Sequence, residues 1–160
     1  MPDMTRSYAI EAQEESPVDS GMSSMRLPPK GTIARGQQPY LFTSAEEAGK
    51  ELRNPLDKSS EVLATGKRYF NINCTPCHGE YGAGDGRVIT EATFLERMPK
   101  PPVLFSQKLM NYPDGQLFHI ITKGQGNMPA YANRIDVNTR WAIVNYLRVL
   151  QKAAKDITDK

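Results

Sequence analysis

The two cysteines of this 160-residue chain stand three positions apart, in the run Cys74-Thr75-Pro76-Cys77-His78. A C-x-x-C-H run is the pattern of covalent haem attachment. Each thiol adds to one vinyl group of the haem, and the adjacent histidine then faces the iron as its proximal ligand. We therefore expect one covalent haem c, held by Cys74, Cys77 and His78, at the centre of the fold.

Three other interpretations of the cysteines stay open. A thioredoxin-like redox pair follows a strand of a parallel sheet, whereas residues 59–73 have a helical pattern. A zinc site needs four ligands, and the chain offers only its two cysteines and two histidines, His78 and His119. Cys77 and His78 are adjacent, and neighbouring residues rarely both reach one tetrahedral ion. A plain disulfide is the third interpretation, whereas a scaffold with several disulfides is excluded by the cysteine count.

The composition excludes several classes of function. The chain is 39% hydrophobic and has no run of about 18 to 20 apolar residues, the length that a membrane-spanning helix requires. Its net charge is +2, which is too balanced for the continuous basic face of a nucleic-acid-binding protein. We expect one soluble domain of ordinary size with no nucleic-acid partner. Membrane association is expected only through a partner complex or a lipid anchor.

Three segments have the apolar spacing and end residues of helices. They run from Ser59 or Ser60 to the cysteines, from a cap at Asp114 to Gly124, and from about Asn138 to Lys155. Residues 79–113 are mostly loop, because glycines and prolines interrupt them. The predicted fold class is all-α, with three main helices and loops around a covalent haem.

A closed electron carrier needs a second strong iron ligand, for which a methionine or His119 is the candidate. Met128 lies in a loop where two glycines permit close approach and Pro129 stiffens the backbone after the sulfur. We expect Met128 to be the ligand and His119 to be a surface or propionate-side residue. With His78 and Met128 on the iron, no position is left for a substrate. The chain is therefore expected to transfer electrons and to have no catalytic residue of its own.

Further residues are candidates for contact with the haem. A carbonyl of Pro101 or Pro102 is expected to accept the Nδ1 proton of His78 and so fix the imidazole ring. The candidates for propionate contacts are Tyr131, Arg134 and Trp141. Ordinary packing is an equal alternative for each of these three.

Residues 1–58 differ from the rest of the chain. They contain proline-rich runs such as Pro28-Pro29-Lys30-Gly31 and show no sustained apolar period of 2 or 3.6. We expect an extended N-terminal arm over residues 1–58 that wraps partner subunits, followed by the haem domain over residues 59–160. Leu41 and Phe42 are apolar residues that such an arm could press into a neighbour's groove. A disordered tail is the alternative.

Short motifs of the haem domain recur in one protein family. They are Gly66 and Phe70, the run Cys74 to Gly79, Lys100-Pro101-Pro102, Asp114 to Phe118, Asn127-Met128-Pro129, and Trp141 with Tyr146. Over about residues 59–152 the chain therefore resembles the class I mono-haem cytochromes c. The resemblance implies the fold of that family, in which the first and last helices would cross at Gly66, Phe70 and Tyr146.

The arm carries a closer resemblance. Pro2-Asp3-Met4 and the run from Met25 to Gly36 are similar to the N-terminal extension of the mono-haem cytochrome c subunit, ActE, of bacterial alternative complex III. That complex is a membrane quinol oxidoreductase. The resemblance implies that the chain receives electrons from a multihaem cytochrome c subunit at the periplasmic face of the membrane. It would pass them to a terminal oxidase or a soluble carrier.

The sequence departs from that family in one respect. Its members commonly carry a signal peptide that ends in a lipidated cysteine, whereas no apolar leader and no cysteine precede Cys74. Because haem c is attached outside the cytoplasm, we expect a leader that has been cleaved or is not included here. A diffusible or oxidase-associated periplasmic cytochrome c is the alternative function. A haem enzyme or gas sensor is a third, and it requires Met128 to be off the iron.

Overall fold

The computed structural model describes most of the haem domain and a small part of the arm. The residues described are 13, 24, 28–33, 35, 39–91 and 99–158. The chain divides into two compact units, Met1–Tyr40 and Leu41–Lys160. In the first unit, the Thr32 amide donates to the Pro29 carbonyl at 3.0 Å and closes a turn with Gly31 at φ +92°. Pro2-Asp3-Met4 and most of the run from Met25 to Gly36 lie outside the described residues.

The second unit is built from helices and loops. Its described residues form seven helices: α1 (Ala45–Glu51), α2 (Ser60–Asn73), α3 (Thr75–His78), α4 (Arg87–Glu91), α5 (Gln107–Met110), α6 (Asp114–Lys123) and α7 (Val137–Thr158). Over the same residues no strand forms, and the extended backbone makes one isolated bridge, between Gln125 and Met128. The predicted all-α class is confirmed, with α2, α6 and α7 as its main helices.

The crossing of α2 and α7 is the closest contact between long helices. A Cβ atom on Gly66 would lie 2.7 Å from the Ala142 carbonyl carbon and 3.0 Å from Tyr146 Cβ, so the backbones touch there. The rings of Phe70 and Tyr146 meet edge to face, with centroids 5.4 Å apart. The predicted crossing at Gly66, Phe70 and Tyr146 is confirmed.

The starts of α2 and α6 follow the sequence signals with one shift. Ser59 caps α2, because its Oγ accepts the amide N–H of Val62 at 3.4 Å. Pro113 is the N-cap of α6, so Asp114 is its first helical residue and not the cap that the sequence predicts. The Asp114 carboxylate accepts instead from Arg148 Nε of α7, at 2.7 Å. This ion pair joins the start of α6 to α7.

Helix α1 was not predicted from the sequence. Its signal is the run from Ser44 to Glu47, in which Ser44 Oγ accepts the Glu47 amide at 3.1 Å, as in a capping box. The helix packs on α6 through small residues. A Cβ atom on Gly115 would lie 2.8 Å from Leu52 Cβ and nearer still to the Ala48 carbonyl oxygen. The contact is therefore one of backbone against backbone.

Side-chain amides hold the connection between α1 and α2 on α7. Asn54 Nδ2 donates to the Trp141 carbonyl at 3.2 Å and to Asn145 Oδ1 at 3.0 Å. Asn145 is buried and donates to the Asp57 carbonyl at 2.9 Å. Residues 41–58 thus belong to the second unit, and the boundary expected at residue 58 lies at residue 40 in the structure. Polar contacts fix this segment, which explains why it lacks an apolar period.

The segment predicted to be loop, residues 79–113, contains the short helices α4 and α5. Its other described residues are irregular, and residues 92–98 lie outside the described part. Among all the helices described, none combines the length and the apolar character needed to cross a membrane.

Candidate haem site

The C-x-x-C-H run forms α3, directly after α2. The Cys74 carbonyl accepts the amide N–H groups of Cys77 at 3.1 Å and of His78 at 2.8 Å. No disulfide joins Cys74 and Cys77. Burial, followed by the charge of Cys77, raises the pKa of the Cys74 thiol to about 12. The turn brings both cysteines and His78 to the wall of one cavity.

That cavity has a volume of about 380 Å³. Six of the residues predicted to bind haem line it: Cys74, Cys77, His78, Pro102, Met128 and Tyr131. Apolar residues of α2, α6 and α7 form much of the remaining wall: Phe70, Leu117, Ile120, Ile121, Ile143 and Leu147. Two thiols, an imidazole and a thioether around an apolar cavity fit the donor set of a covalent haem with histidine and methionine on its iron.

The loop of Pro101 and Pro102 approaches His78. Burial lowers the pKa of the His78 imidazole, and the backbone of Pro102 acts in the opposite direction. His78 Nδ1 is nevertheless buried without a hydrogen bond of ordinary geometry, so the contact with Pro102 is weaker than a formed hydrogen bond. The Pro101 carbonyl oxygen faces Gly84 instead, where a Cβ atom would lie 2.6 Å from it. Of the two predicted carbonyls, the structure favours Pro102.

Met128 closes a tight turn after α6. Its amide donates to the Gln125 carbonyl at 2.9 Å, and the Gln125 amide donates to the Met128 carbonyl at 3.1 Å. Gly124 and Gly126 have φ of +78° and +56°, which favour glycine. A Cβ atom on Gly124 would lie 2.9 Å from the Ala130 nitrogen and nearer still to the Met128 carbonyl oxygen. Close backbone approach therefore places Met128, which is half-buried, in the cavity wall.

Tyr131 lines the cavity, and its hydroxyl forms a hydrogen bond with the backbone at the end of α2. The hydroxyl donates to the carbonyl of Asn73, the last residue of α2, at 3.2 Å. Burial raises the pKa of Tyr131, so the phenol keeps its proton at neutral pH. The structure thus gives this hydroxyl a protein partner in place of the expected propionate contact.

Trp141 is not in the cavity wall. It is 4% exposed and stacks on Phe118 of α6, with ring centroids 4.0 Å apart and planes at 12°. The expected propionate contact of Trp141 is therefore corrected: its ring joins α6 to α7 in the core. Arg134, the third propionate candidate, is exposed and is likewise outside the wall.

His119 is also outside the wall, and the prediction of a surface or propionate-side position for it was wrong. Leu117, Ile120 and Ile121 occupy the cavity side of α6, whereas His119 is buried on the side near α1. Burial and then Lys123 lower its pKa, and the acidic residues of α1 act in the opposite direction. His119 therefore does not compete with Met128 as a ligand.

The structure argues against the other three interpretations of the cysteines. A helix, α2, precedes them where a thioredoxin-like site has a strand. Within the stretches that the structure describes, no three His, Cys, Asp or Glu side chains lie together as a metal site would require. The two cysteines form no disulfide in the structure. The haem interpretation is the one that the cavity fits.

The chain is similar to several known cytochromes. Residues 61–147 match the family described as cytochrome C oxidase, cbb3-type, subunit III. Cytochrome c6 of Cladophora glomerata is 30% identical over 93 residues, which cover 55% of this chain and 88% of that protein. The cbb3-type cytochrome c oxidase subunit CcoP of an Azospirillum strain is 39% identical over 49 residues, or 31% of this chain.

Other relatives are much longer than the matched region. The chain spans 17% of the CcoP protein. One solved structure, the Kuenenia stuttgartiensis reducing HAO-like protein complex, includes a chain with a TM-score of 0.51 and 21% identity. The match covers 72% of this chain and 52% of that one, and at this identity it supports the fold alone.

Proposed function

Because this chain belongs to the cytochrome c family, we propose that it is the mono-haem electron-transfer subunit of a membrane quinol oxidoreductase of the alternative complex III type. Cytochromes c bind haem c covalently and carry electrons, so haem c is the cofactor of this chain. The subunit would receive electrons from a multihaem cytochrome c and pass them to a terminal oxidase or a soluble carrier.

One observation carries the electron-transfer part of the proposal: the two thiols, His78 and Met128 line the same largely apolar cavity. Cys74 and Cys77 would hold the haem through thioether bonds, and His78 and Met128 would hold its iron. Bound haem supplies a one-electron iron couple, and methionine ligation raises its potential. With His78 and Met128 both holding the iron, the subunit would have no substrate site of its own.

The apolar wall has a defined part in this function. Phe70, Leu117 and Ile143 line the cavity and are at most 5% exposed. Such residues keep water from the iron and lower the local dielectric, which tunes the reduction potential. Rigid packing also keeps the ligands in place as the iron changes charge. The chain would thus favour fast electron exchange over chemistry at the iron.

The first unit supports placement in a large complex. Met1–Tyr40 is separate from the unit that holds the cavity, and its sequence is similar to the extension of the alternative complex III subunit. We propose that it tethers the haem domain to partner subunits. The site of action would be the periplasmic face of the cytoplasmic membrane, because haem c is attached outside the cytoplasm.

The alternative is an oxidase-associated or diffusible periplasmic cytochrome c. The similarity to CcoP, a cbb3-type oxidase subunit, and to cytochrome c6 favours it. The two proposals share the haem site and differ in the partner of the first unit. Native electrophoresis of detergent-solubilised membranes, a denaturing second dimension and haem staining separate them.

The proposal predicts a haem-stained band near 17.9 kDa beneath a large complex that also contains a multihaem polypeptide. A matched variant that lacks residues 1–40 should keep its haem stain and leave that complex. Migration with a terminal oxidase, or migration free of any complex, would contradict the alternative complex III assignment and leave the cytochrome c intact. Retention of the truncated variant in the complex would contradict the tether.

A further inference from the structure

Tyr131 is fixed at both ends by two different helices. Its amide N–H donates to the Ile121 carbonyl in α6 at 3.0 Å. Its hydroxyl donates to the Asn73 carbonyl at 3.2 Å, across 58 positions of sequence. The side chain therefore spans from the segment after Met128 to the end of the helix that carries the haem-attachment run.

The Asn73 carbonyl is a group that needs such a partner. In a continuing helix it would accept the amide of Cys77, four positions later. That amide donates to the Cys74 carbonyl instead, at 3.1 Å, because α2 ends at Asn73 and α3 begins a new turn. The Tyr131 hydroxyl instead donates the hydrogen bond that the carbonyl of Asn73, the residue directly before Cys74, accepts.

Tyr131 is also the last residue of the loop that holds Met128, residues 125–131. The start of the loop is held by the paired backbone hydrogen bonds between Gln125 and Met128. Its far end lies three positions later at Tyr131, whose carbonyl accepts the amides of Arg134 and Ile135, each at 3.0 Å. The hydroxyl of Tyr131 is thus a direct polar link between the methionine loop and the attachment segment.

We propose that the Tyr131 hydroxyl is a positioning group that holds the Met128 loop against the haem-attachment segment and so resists displacement of Met128 from the iron. This inference rests on the proposed function, in which Met128 is an iron ligand. The hydroxyl acts through the Asn73 carbonyl and does not itself touch the iron. Removing it should leave the cavity shape intact and make the sixth position easier for an external ligand to take.

The test is a titration of the ferric, haem-loaded full chain with imidazole. Loss of the methionine-to-iron absorption band measures how much imidazole has bound. Tyr131→Phe removes only the hydroxyl, and we expect it to tighten the apparent binding of imidazole by about two- to tenfold, the net value of one hydrogen bond. Tyr146→Phe is the matched control, because Tyr146 lies at the α2–α7 crossing and outside the cavity wall. We expect its imidazole affinity to equal that of the parent protein.

A second variant reverses the sign. Site-specific 3-fluorotyrosine at position 131 keeps the ring and makes its hydroxyl a stronger donor. At a pH where this phenol stays protonated, imidazole binding should weaken relative to the parent protein. The guanidinium midpoint of each variant, measured in parallel, records any change in global stability.

The outcomes separate this inference from the function on which it rests. Equal imidazole affinity in Tyr131→Phe and the parent, or an equal rise in both phenylalanine variants, would overturn the positioning role alone. Loss of the folded haem domain in Tyr131→Phe would also overturn it, since the effect would then be global. A parent protein without a methionine-to-iron band would instead refute Met128 as the ligand.

Discussion

Replacing Gly66 with alanine tests whether the fold depends on close contact between α2 and α7. Two effects oppose each other. Alanine is the better helix former by about 1 kcal/mol, so propensity alone predicts a more stable protein. The new Cβ atom, however, would lie 2.7 Å from the Ala142 carbonyl carbon and 3.0 Å from Tyr146 Cβ.

The size of the packing effect follows from these distances. Carbon atoms attract each other best at roughly 3.5 to 4.0 Å, so α7 must retreat by about 1 Å. A gap of that size loses a quarter to a half of the dispersion energy of the neighbouring contacts, Phe70 with Tyr146 among them. Overpacking of this kind costs about 1 to 3 kcal/mol. An overpacking cost of about 2 kcal/mol, less the gain of about 1 kcal/mol in propensity, leaves Gly66→Ala less stable by about 1 kcal/mol.

The assay is unfolding of the haem-loaded protein in guanidinium, monitored by the fluorescence of Trp141, its single tryptophan. A loss of about 1 kcal/mol should lower the midpoint by about 0.25 M. Ala64→Gly is the matched control: Ala64 is exposed on the same helix, so this variant should lose only the propensity of about 1 kcal/mol. A Gly66→Ala protein that is more stable than the parent would refute the packing argument.

The remaining predictions concern the ligand, its loop and the start of α7. Met128→Ala should lower the reduction potential and allow carbon monoxide to bind the ferrous protein; an unchanged potential and spectrum would exclude Met128 as the ligand. Gly126→Ala should cost about 1 kcal/mol, because its φ is +56° and no atom lies within 4 Å of the new Cβ, whereas Gly124→Ala should cost more because it also crowds the Met128 carbonyl. Equal guanidinium midpoints for the two glycine variants would contradict this account. Asp136 Oδ1 accepts the Thr139 amide at 2.9 Å at the start of α7, and although burial acts to raise its pKa, hydrogen bonds from Thr139 and nearby amides lower it from 3.8. Because its pKa is lowered on folding, the Asp136 carboxylate stabilises the fold above pH 3.8, and this stabilisation is lost as the pH falls further. Asp136→Ala should therefore cost about 1 kcal/mol at pH 7 and less at pH 3. A cost that does not change with pH would argue against this.

The parts of the molecule that the sequence predicts well are those with local signals. Ser59 and the apolar positions after it predict α2, because capping and helical spacing act within one turn or two. The position of Met128 in the cavity wall can also be predicted from the sequence, since the glycines before it mark a turn in which backbones approach closely. The contribution of Gly66 depends on another helix, and the family resemblance placed it correctly at the crossing.

The errors concern residues whose direction depends on how one helix is rotated against another. Trp141 and His119 are both near the haem site in sequence, yet each is turned away from the cavity. For His119 the signal was available, because Leu117, Ile120 and Ile121 define one face of α6 and His119 is off that face. For Trp141 the outcome depends on its stack with Phe118, a contact that no local pattern records.

The unpredicted helix α1 has a similar cause. It is short, and its burial depends on Ala48 and Gly49, which contribute little to an apolar period. Its contact with α6 depends on the absence of a side chain at Gly115, so the evidence for it is in the partner helix. Only the capping signal at Ser44 could have indicated it from the sequence.

We propose that Cys74 and Cys77 carry one covalent haem. Intact-mass spectrometry of the protein purified from its native cells, with digestion and sequencing of the haem-bearing peptide, tests this attachment. We expect one haem per chain, on the peptide that contains Cys74 and Cys77, and its complete loss when both are replaced by serine. A chain of unmodified mass with two reactive thiols would contradict it.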